Sequence, residues 1–416
     1  MTPIRDFRKE LLVILNGASI DITLQDDDKC FKSILAPKSI SYPNEIATNY
    51  GKMLRILRVI SDKSNNPISD TELENKLDNF IIELKYRKDQ KSVRREIDNH
   101  IVNFIKSLKI IKSDKFLFLI PIMNLNIQGF MQIGCSSIVT LTEELVRSLE
   151  KKYSMEFGYG LHGSEPIKQL RESNETETYG IVTVDAPDNE KAIELAIQKA
   201  ETCLNILRVY SDTWNFVLRR DLKKTFGIRL IQANLNTKKY GVCSRSVNLQ
   251  GNLAPTTLTK KGLENYNLKI KPVIDVLLSK PGRELTSLQK DLLTAIMWFG
   301  NAVKDDEKNM RFVKGIMALE TLLVPNGGKA KCDVIAKNFV RIVFSGASKE
   351  KKSAAYKEMK EMYRIRSSII HSGDGYVYKE DILKMLAWVR ITIQVLLEKA
   401  NQYENLSEVL SKEFPS

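Results

Sequence analysis

Histidine is nearly absent from this chain: three in 416 residues, His100, His162 and His371. Tryptophan is as scarce, with Trp214, Trp298 and Trp388. The five cysteines (Cys30, Cys135, Cys203, Cys243, Cys332) are scattered, with no CxxC pair and none at ligand spacing from a histidine. Structural zinc needs four such ligands at short spacings, so the pattern argues against a metal centre, and the expectation is no metal and no cofactor. An odd cysteine count in a long chain points to free thiols in a reducing cytosol. Long apolar runs are missing as well. The longest, residues 116–123, is interrupted by Pro121 and falls far below the ~20 residues that span a bilayer. The opening MTPIRDFRKELLVILNG sets Asp6 and Glu10 among short apolar groups and lacks the apolar centre and small-residue cleavage site of a signal peptide. The expectation is a cytoplasmic protein without a membrane partner.

What the chain does have is positive charge. Lys and Arg number 64 against 51 Asp and Glu, a formal +13 and a pI near 9.3. Such a balance favours an acidic partner, and nucleic acid is the commonest one. Hydrophobic residues make up 43%, enough to bury a core and to exclude a disordered chain. A length of 416 implies two or three domains.

The pattern along the chain reads as α+β. Residues 1–112 are expected to be a mainly helical N-terminal region, with charged periodic helices over 71–86 and 93–108. Asp26, Asp27 and Asp28 read as a turn or helix start rather than a cation site. Residues 113–284 form a mixed region of short strands and helices. FLFLIPIMNL, GFMQIGCSSIVTL and YGIVTVDAP are strand-like, rich in β-branched residues and punctuated by Pro and Gly. Residues 159–178 read as a surface loop containing His162. Over 189–212 Ile193, Ala196, Ala200, Cys203, Leu207 and Tyr210 recur at helical spacing and mark one buried stripe. Its end, ILRVYSD, matches ILRVISD at 56–62 in six of seven positions; an internal repeat and coincidence both account for that.

Pro281 and Gly282 mark a boundary, after which Thr286 or Ser287 can cap a helix. Residues 285–405 are almost purely helical, with five amphipathic segments joined by short loops. That is the signature of an antiparallel helical bundle. PNGGKAK at 325–331 lacks the spacing of a phosphate-cradling loop and reads as a helix-ending turn. GYGLHGSEP has no nucleophile-elbow arrangement.

The fourth bundle helix ends in YRIRSSIIHSG, residues 363–373. It joins a permanent cation, Arg366, to a group that titrates near neutrality, His371. An imidazole can take the proton of an RNA 2′-hydroxyl or protonate the departing oxygen. A guanidinium can hold the phosphate and stabilise charge in the transition state. Five helical positions turn through about 140°, so Arg366 and His371 do not share a face of a regular helix, whereas Arg364 and His371 do. Fraying at Gly373, or a second copy of the chain, would be needed to bring the imidazole to Arg366. The structural alternative is an arginine paired with a carboxylate and a histidine favoured at a helix C-terminus by the dipole.

Residues 287–400 resemble the HEPN superfamily (higher eukaryotes and prokaryotes nucleotide-binding), in particular its ApeA-like branch from bacterial antiphage defence. The matching pieces are AIMWFGNAV, RFVKGIMALETLL and YRIRSSIIHSG, in that order. The resemblance implies a C-terminal HEPN helical bundle and a metal-independent endoribonuclease, usually dimeric, with Arg366 and His371 on the family's R-x4-6-H pair. Ser367 stands where active members commonly carry Asn, Asp or His, and Arg-Ser suits the ApeA-like branch. Glu320 matches the acidic residue of the second helix and would orient an arginine, while Arg364 would add phosphate affinity. The implied partners are an RNA substrate, a second copy in a homodimer or higher homo-oligomer, and a phage-derived trigger or regulating protein. The rival readings are a non-catalytic nucleotide- or RNA-binding and dimerisation module, and a toxin-like subunit silenced by a companion.

Overall fold

The computed structural model describes residues 3–16, 21–23, 39–41, 44–64, 67–85, 93, 95–109, 112–123, 125–127, 130–134, 136–140, 142–153, 178–211, 217–218, 227–234, 236, 239–246, 256–258, 270–279, 284–324, 331–373 and 376–415. Asp26 to Asp28, His162 with nearly all of the 159–178 loop, Trp214, and the 325–330 turn lie outside them. The fold is α+β. It divides into two compact units, Met1–Phe116 with Val184–Leu195 and Asn234–Asn236, and Leu117–Thr183 with Ala196–Ala233 and Thr237–Ser416.

Among the described residues of 1–116 the first unit holds four helices, α1 (Pro3–Asn16), α2 (Asn44–Asp62), α3 (Asp70–Lys85) and α4 (Ile97–Lys109). Their apolar positions recur every three or four residues, so one stripe of each turns inward. Phe7, Leu11, Met53, Leu57, Leu77, Ile81 and Ile101 meet in the core, where Phe80 and Phe104 stack at 4.2 Å. Ser69 caps α3 by accepting from the Glu72 N–H, and Asp70 and Glu72 complement the helix dipole at that end. A short antiparallel pair, β1 (Asp21–Thr23) with β2 (Ser39–Ser41), also lies in this unit.

The sheet runs in the order β10 (Lys239–Ser246), β9 (Gly227–Asn234), β3 (Asp114–Met123), β7 (Thr178–Ala186), β6 (Ser136–Thr140), β5 (Phe130–Ile133), with β8 (Val217–Leu218) pairing β3. Phe116 to Ile120 of β3 are all buried, the unbroken apolar run of a strand covered on both faces. β5 and β6 form a hairpin turned at Gly134, whose φ of 57° admits glycine readily. β4 (Leu125–Ile127) pairs in parallel with β11 (Thr256–Leu258).

The same second unit holds the bundle: α8 (Ser287–Lys304), α9 (Lys308–Leu323), α10 (Lys331–Val343), α11 (Lys349–Ser372) and α12 (Lys379–Leu397). α5 (Glu143–Tyr153), α6 (Asn189–Tyr210), α7 (Lys271–Ser279) and α13 (Leu406–Lys412) are the other helices among the described residues. Thr286 and Gln289 make a reciprocal capping box on α8, Ser348 caps α11, and Gly373 in the left-handed region (φ 68°) ends it. A Cβ at Gly315 of α9 would overlap the sulfur and methyl of Met385 of α12, so the methionine end fills the space that a side chain there would need. Trp388 sits 4.6 Å from Phe339 inside the bundle, a buried core residue. No helix is long and apolar enough to cross a membrane among the described residues.

The bundle packs directly on the second half of α6. A Cβ at Gly300 of α8 would overlap the Asn205 side chain. Arg208, fully buried, pairs with Glu201 at 3.5 Å, and Lys304 of α8 reaches the same carboxylate at 2.9 Å. At the end of α6, Arg390 donates to the Ser211 carbonyl at 2.9 Å and Gln394 to the Val209 carbonyl at 2.8 Å. These donors satisfy carbonyls that a helix C-terminus leaves open.

Candidate functional site

The last turns of α11 carry the candidate residues, and α11 stays helical through Ser372. There is no fraying before Gly373 to swing the imidazole back. Arg366 therefore turns inward and His371 outward, as the helical repeat requires.

Arg366 Nη2 donates to Glu320 Oε2 of α9 at 3.3 Å, with the two side chains 17% and 15% exposed. The other carboxylate oxygen, Oε1, accepts from the Tyr363 hydroxyl at 2.9 Å. The guanidinium also lies 5.7 Å from the Tyr363 ring centre, within cation–π range. Glu320 thus bridges two residues three positions apart on one face of α11. Burial, reinforced by the Glu320 carboxylate, pushes the Tyr363 hydroxyl up to about 12. It stays protonated at neutral pH and acts as a donor. Arg366 Nε is buried and has no hydrogen-bond partner among the described residues; of the five N–H donors of a guanidinium, the bond to Glu320 takes one.

The remaining residues stand apart. His371 is exposed. Arg364 is 69% exposed and pairs with Glu361 of its own helix at 3.3 Å, a contact worth little in water. Ser367 is half-buried. The structure therefore joins Arg366 to Glu320 and leaves Arg364 and His371 at the surface, with no hydrogen bond between His371 and either arginine among the described residues. Tyr363 is the member that sequence reasoning left without a role. Its signal was an i, i+3 spacing to Arg366, but the carboxylate that unites them lies 43 residues away from it in the chain.

A separate concavity of about 380 Å³ is lined by Glu284, Thr286, Asp291, Thr321, Glu404 and Ser407, among others. Burial pushes the Asp291 carboxyl up. Carboxylates repel phosphate, so this hollow does not suit a nucleic-acid backbone. No three or more His, Cys, Asp or Glu side chains gather as a metal site among the described residues. No protein-family model, no curated protein and no solved structure matches the chain.

Proposed function

We propose that the chain is a metal-independent endoribonuclease of the HEPN type, acting in antiphage defence by cutting cellular or phage RNA. The observation that carries this reading is the pairing of a fixed guanidinium with an unencumbered imidazole on one helix end. Glu320 and Tyr363 hold Arg366, and His371 stands in solvent five positions later. The excess of positive charge suits an RNA substrate. The imidazole takes the 2′-hydroxyl proton, O2′ attacks the adjacent phosphorus, and the P–O5′ bond breaks. The products are a 2′,3′-cyclic phosphate and a 5′-hydroxyl, and the proton passes to the departing O5′. The guanidinium stabilises the phosphorane-like charge through donors not taken by Glu320. Within one copy the two groups diverge, so a homodimer is part of the proposal: the imidazole of one copy would reach the arginine of the other. A phage-derived trigger or partner protein would release the activity.

One observation favours the non-catalytic module instead. Glu320 neutralises Arg366 across an ion pair that is mostly buried, the arrangement of a structural arginine. Incubating purified protein with RNA in EDTA separates the two. Cleavage to cyclic-phosphate ends should fall at least about 100-fold in His371→Ala and Arg366→Ala, with circular dichroism and Tm retained. Tight RNA binding with no cleavage by the wild-type protein decides for the module.

A further inference from the structure

Immediately beyond His371 the chain presents two aromatic rings to water. Tyr376 is 72% exposed and Tyr378 63%, the highest values for large apolar or aromatic side chains among the described residues. Their rings meet edge to face, with centroids 5.0 Å apart and planes at 81°. Between them Val377 is 1% exposed. In extended backbone successive side chains alternate, so burying Val377 turns both tyrosines to the same outer side. Neither position needs a tyrosine for folding. Burial does not claim them, and Tyr378 occupies the N-cap of α12 without a capping hydrogen bond, where Ser, Thr, Asp or Asn would stabilise the helix.

We infer that Tyr376 and Tyr378 stack on unpaired bases, so that the strand engaged beside His371 is single-stranded RNA. Every base has a π-face, and exposed aromatic rings on a basic surface are the recurring means of holding unpaired strands. The formal +13 of the chain draws a polyanion in at long range, while Glu380 and Asp381 follow directly on Tyr378, so the rings rather than local charge would hold the strand. Five residues of chain keep Tyr376 within about 18 Å of His371, with the left-handed turn at Gly373 between them. A duplex keeps its bases stacked and paired and offers these rings no free face. The inference depends on the ribonuclease reading for the location of the cut, but not for the binding it asserts.

The test uses a fluorescently labelled oligonucleotide with 2′-O-methyl sugars, which lacks the nucleophile and survives the assay. It is presented single-stranded and as a duplex of the same sequence, to wild-type protein and to the double variants Tyr376→Ala/Tyr378→Ala and Tyr376→Phe/Tyr378→Phe. The alanine pair should weaken single-strand binding at least about tenfold, leave duplex binding unchanged and sediment as wild type. The phenylalanine pair should bind within a few-fold of wild type. Equal single-strand affinity in the alanine pair overturns the inference, as does equal loss for both forms of the oligonucleotide. A smaller sedimenting species in the alanine pair also overturns it and assigns the rings to contact between copies. If natural RNA is never cut while this pattern holds, the catalytic reading fails and the stacking stands.

Discussion

Arg208 and Arg366 each lean on a glutamate within the same folded unit, yet they sit at different depths. Arg208 is completely withdrawn from water, pairs with Glu201 and donates to Asn205. Burial pushes the Glu201 carboxyl up, but Arg208 and Lys304 outweigh it and hold the group below the usual carboxylate range. Arg366 keeps a sixth of its side chain in solvent, and its glutamate is shared with a tyrosine hydroxyl. A charge removed from water is tied to its partners, because leaving either one alone is costly. A charge at the rim can exchange one anion for another, as binding a phosphate requires. Under the proposed ribonuclease function, depth rather than pairing would separate Arg366 from a scaffold arginine.

The contrast breaks most sharply at the buried end. Glu201→Ala strands Arg208 inside the fold and should lower stability by about 3–5 kcal/mol, read as a fall in the urea midpoint. Glu320→Ala removes the shared acceptor of a pair that keeps only an edge in water and should cost less, about 1–3 kcal/mol. Equal losses at the two positions would erase the distinction. Gly300→Ala should cost about 1–3 kcal/mol, because its Cβ overlaps Asn205 and must push the buried cluster aside. Tm against wild type measures it, and no loss would mean that α6 and α8 are not in tight contact there.

The two heptapeptides that end in Ser-Asp show how much of this was legible beforehand. ILRVISD and ILRVYSD differ at one position, yet Val59 is 51% exposed and Val209 fully buried. Arg58 bonds the Ile68 carbonyl and pairs with Asp70 at a partly open surface, whereas Arg208 is sealed beneath Asn205 and the bundle. Local pattern announces a helix with an inward arginine; what covers it depends on elements more than 80 residues further on. The bundle helices were readable because apolar residues repeat over three or more turns and caps such as Thr286, Ser348 and Gly373 mark their ends. The helices at 271–279 and 406–412, and the three-residue strands at 21–23, 39–41 and 256–258, are too short to carry a period. At the candidate site Arg366, His371 and Glu320 could be named from the motif. Tyr363 could not be given its role, because an amphipathic helix places tyrosines at such spacings for packing alone.

The finest test of the contrast is its dependence on pH. Tyr363 is lifted from its ordinary value near 10 to about 12 by burial, then by Glu320. A folded pKa above the unfolded one means that the unfolded chain releases this proton first. The stabilisation is complete below pH 10 and is lost as pH rises towards 12. Tyr363→Phe removes the titrating group, so the decline in urea midpoint between pH 9.5 and pH 11.5 should be shallower than in wild type by a small, measurable amount. Other raised tyrosines, such as Tyr50 beside Asp78, contribute equally to both proteins and cancel in the difference. At neutral pH the variant also leaves Glu320 with Arg366 as its one remaining partner of this trio. If Tyr363 helps to hold the carboxylate away from full engagement with the guanidinium, the variant should grip Arg366 more tightly and cut RNA more slowly at unchanged KM. Parallel pH curves for the two proteins would show that in solution the hydroxyl is neither withdrawn from water nor bound to Glu320, and the cluster would then reduce to a simple ion pair.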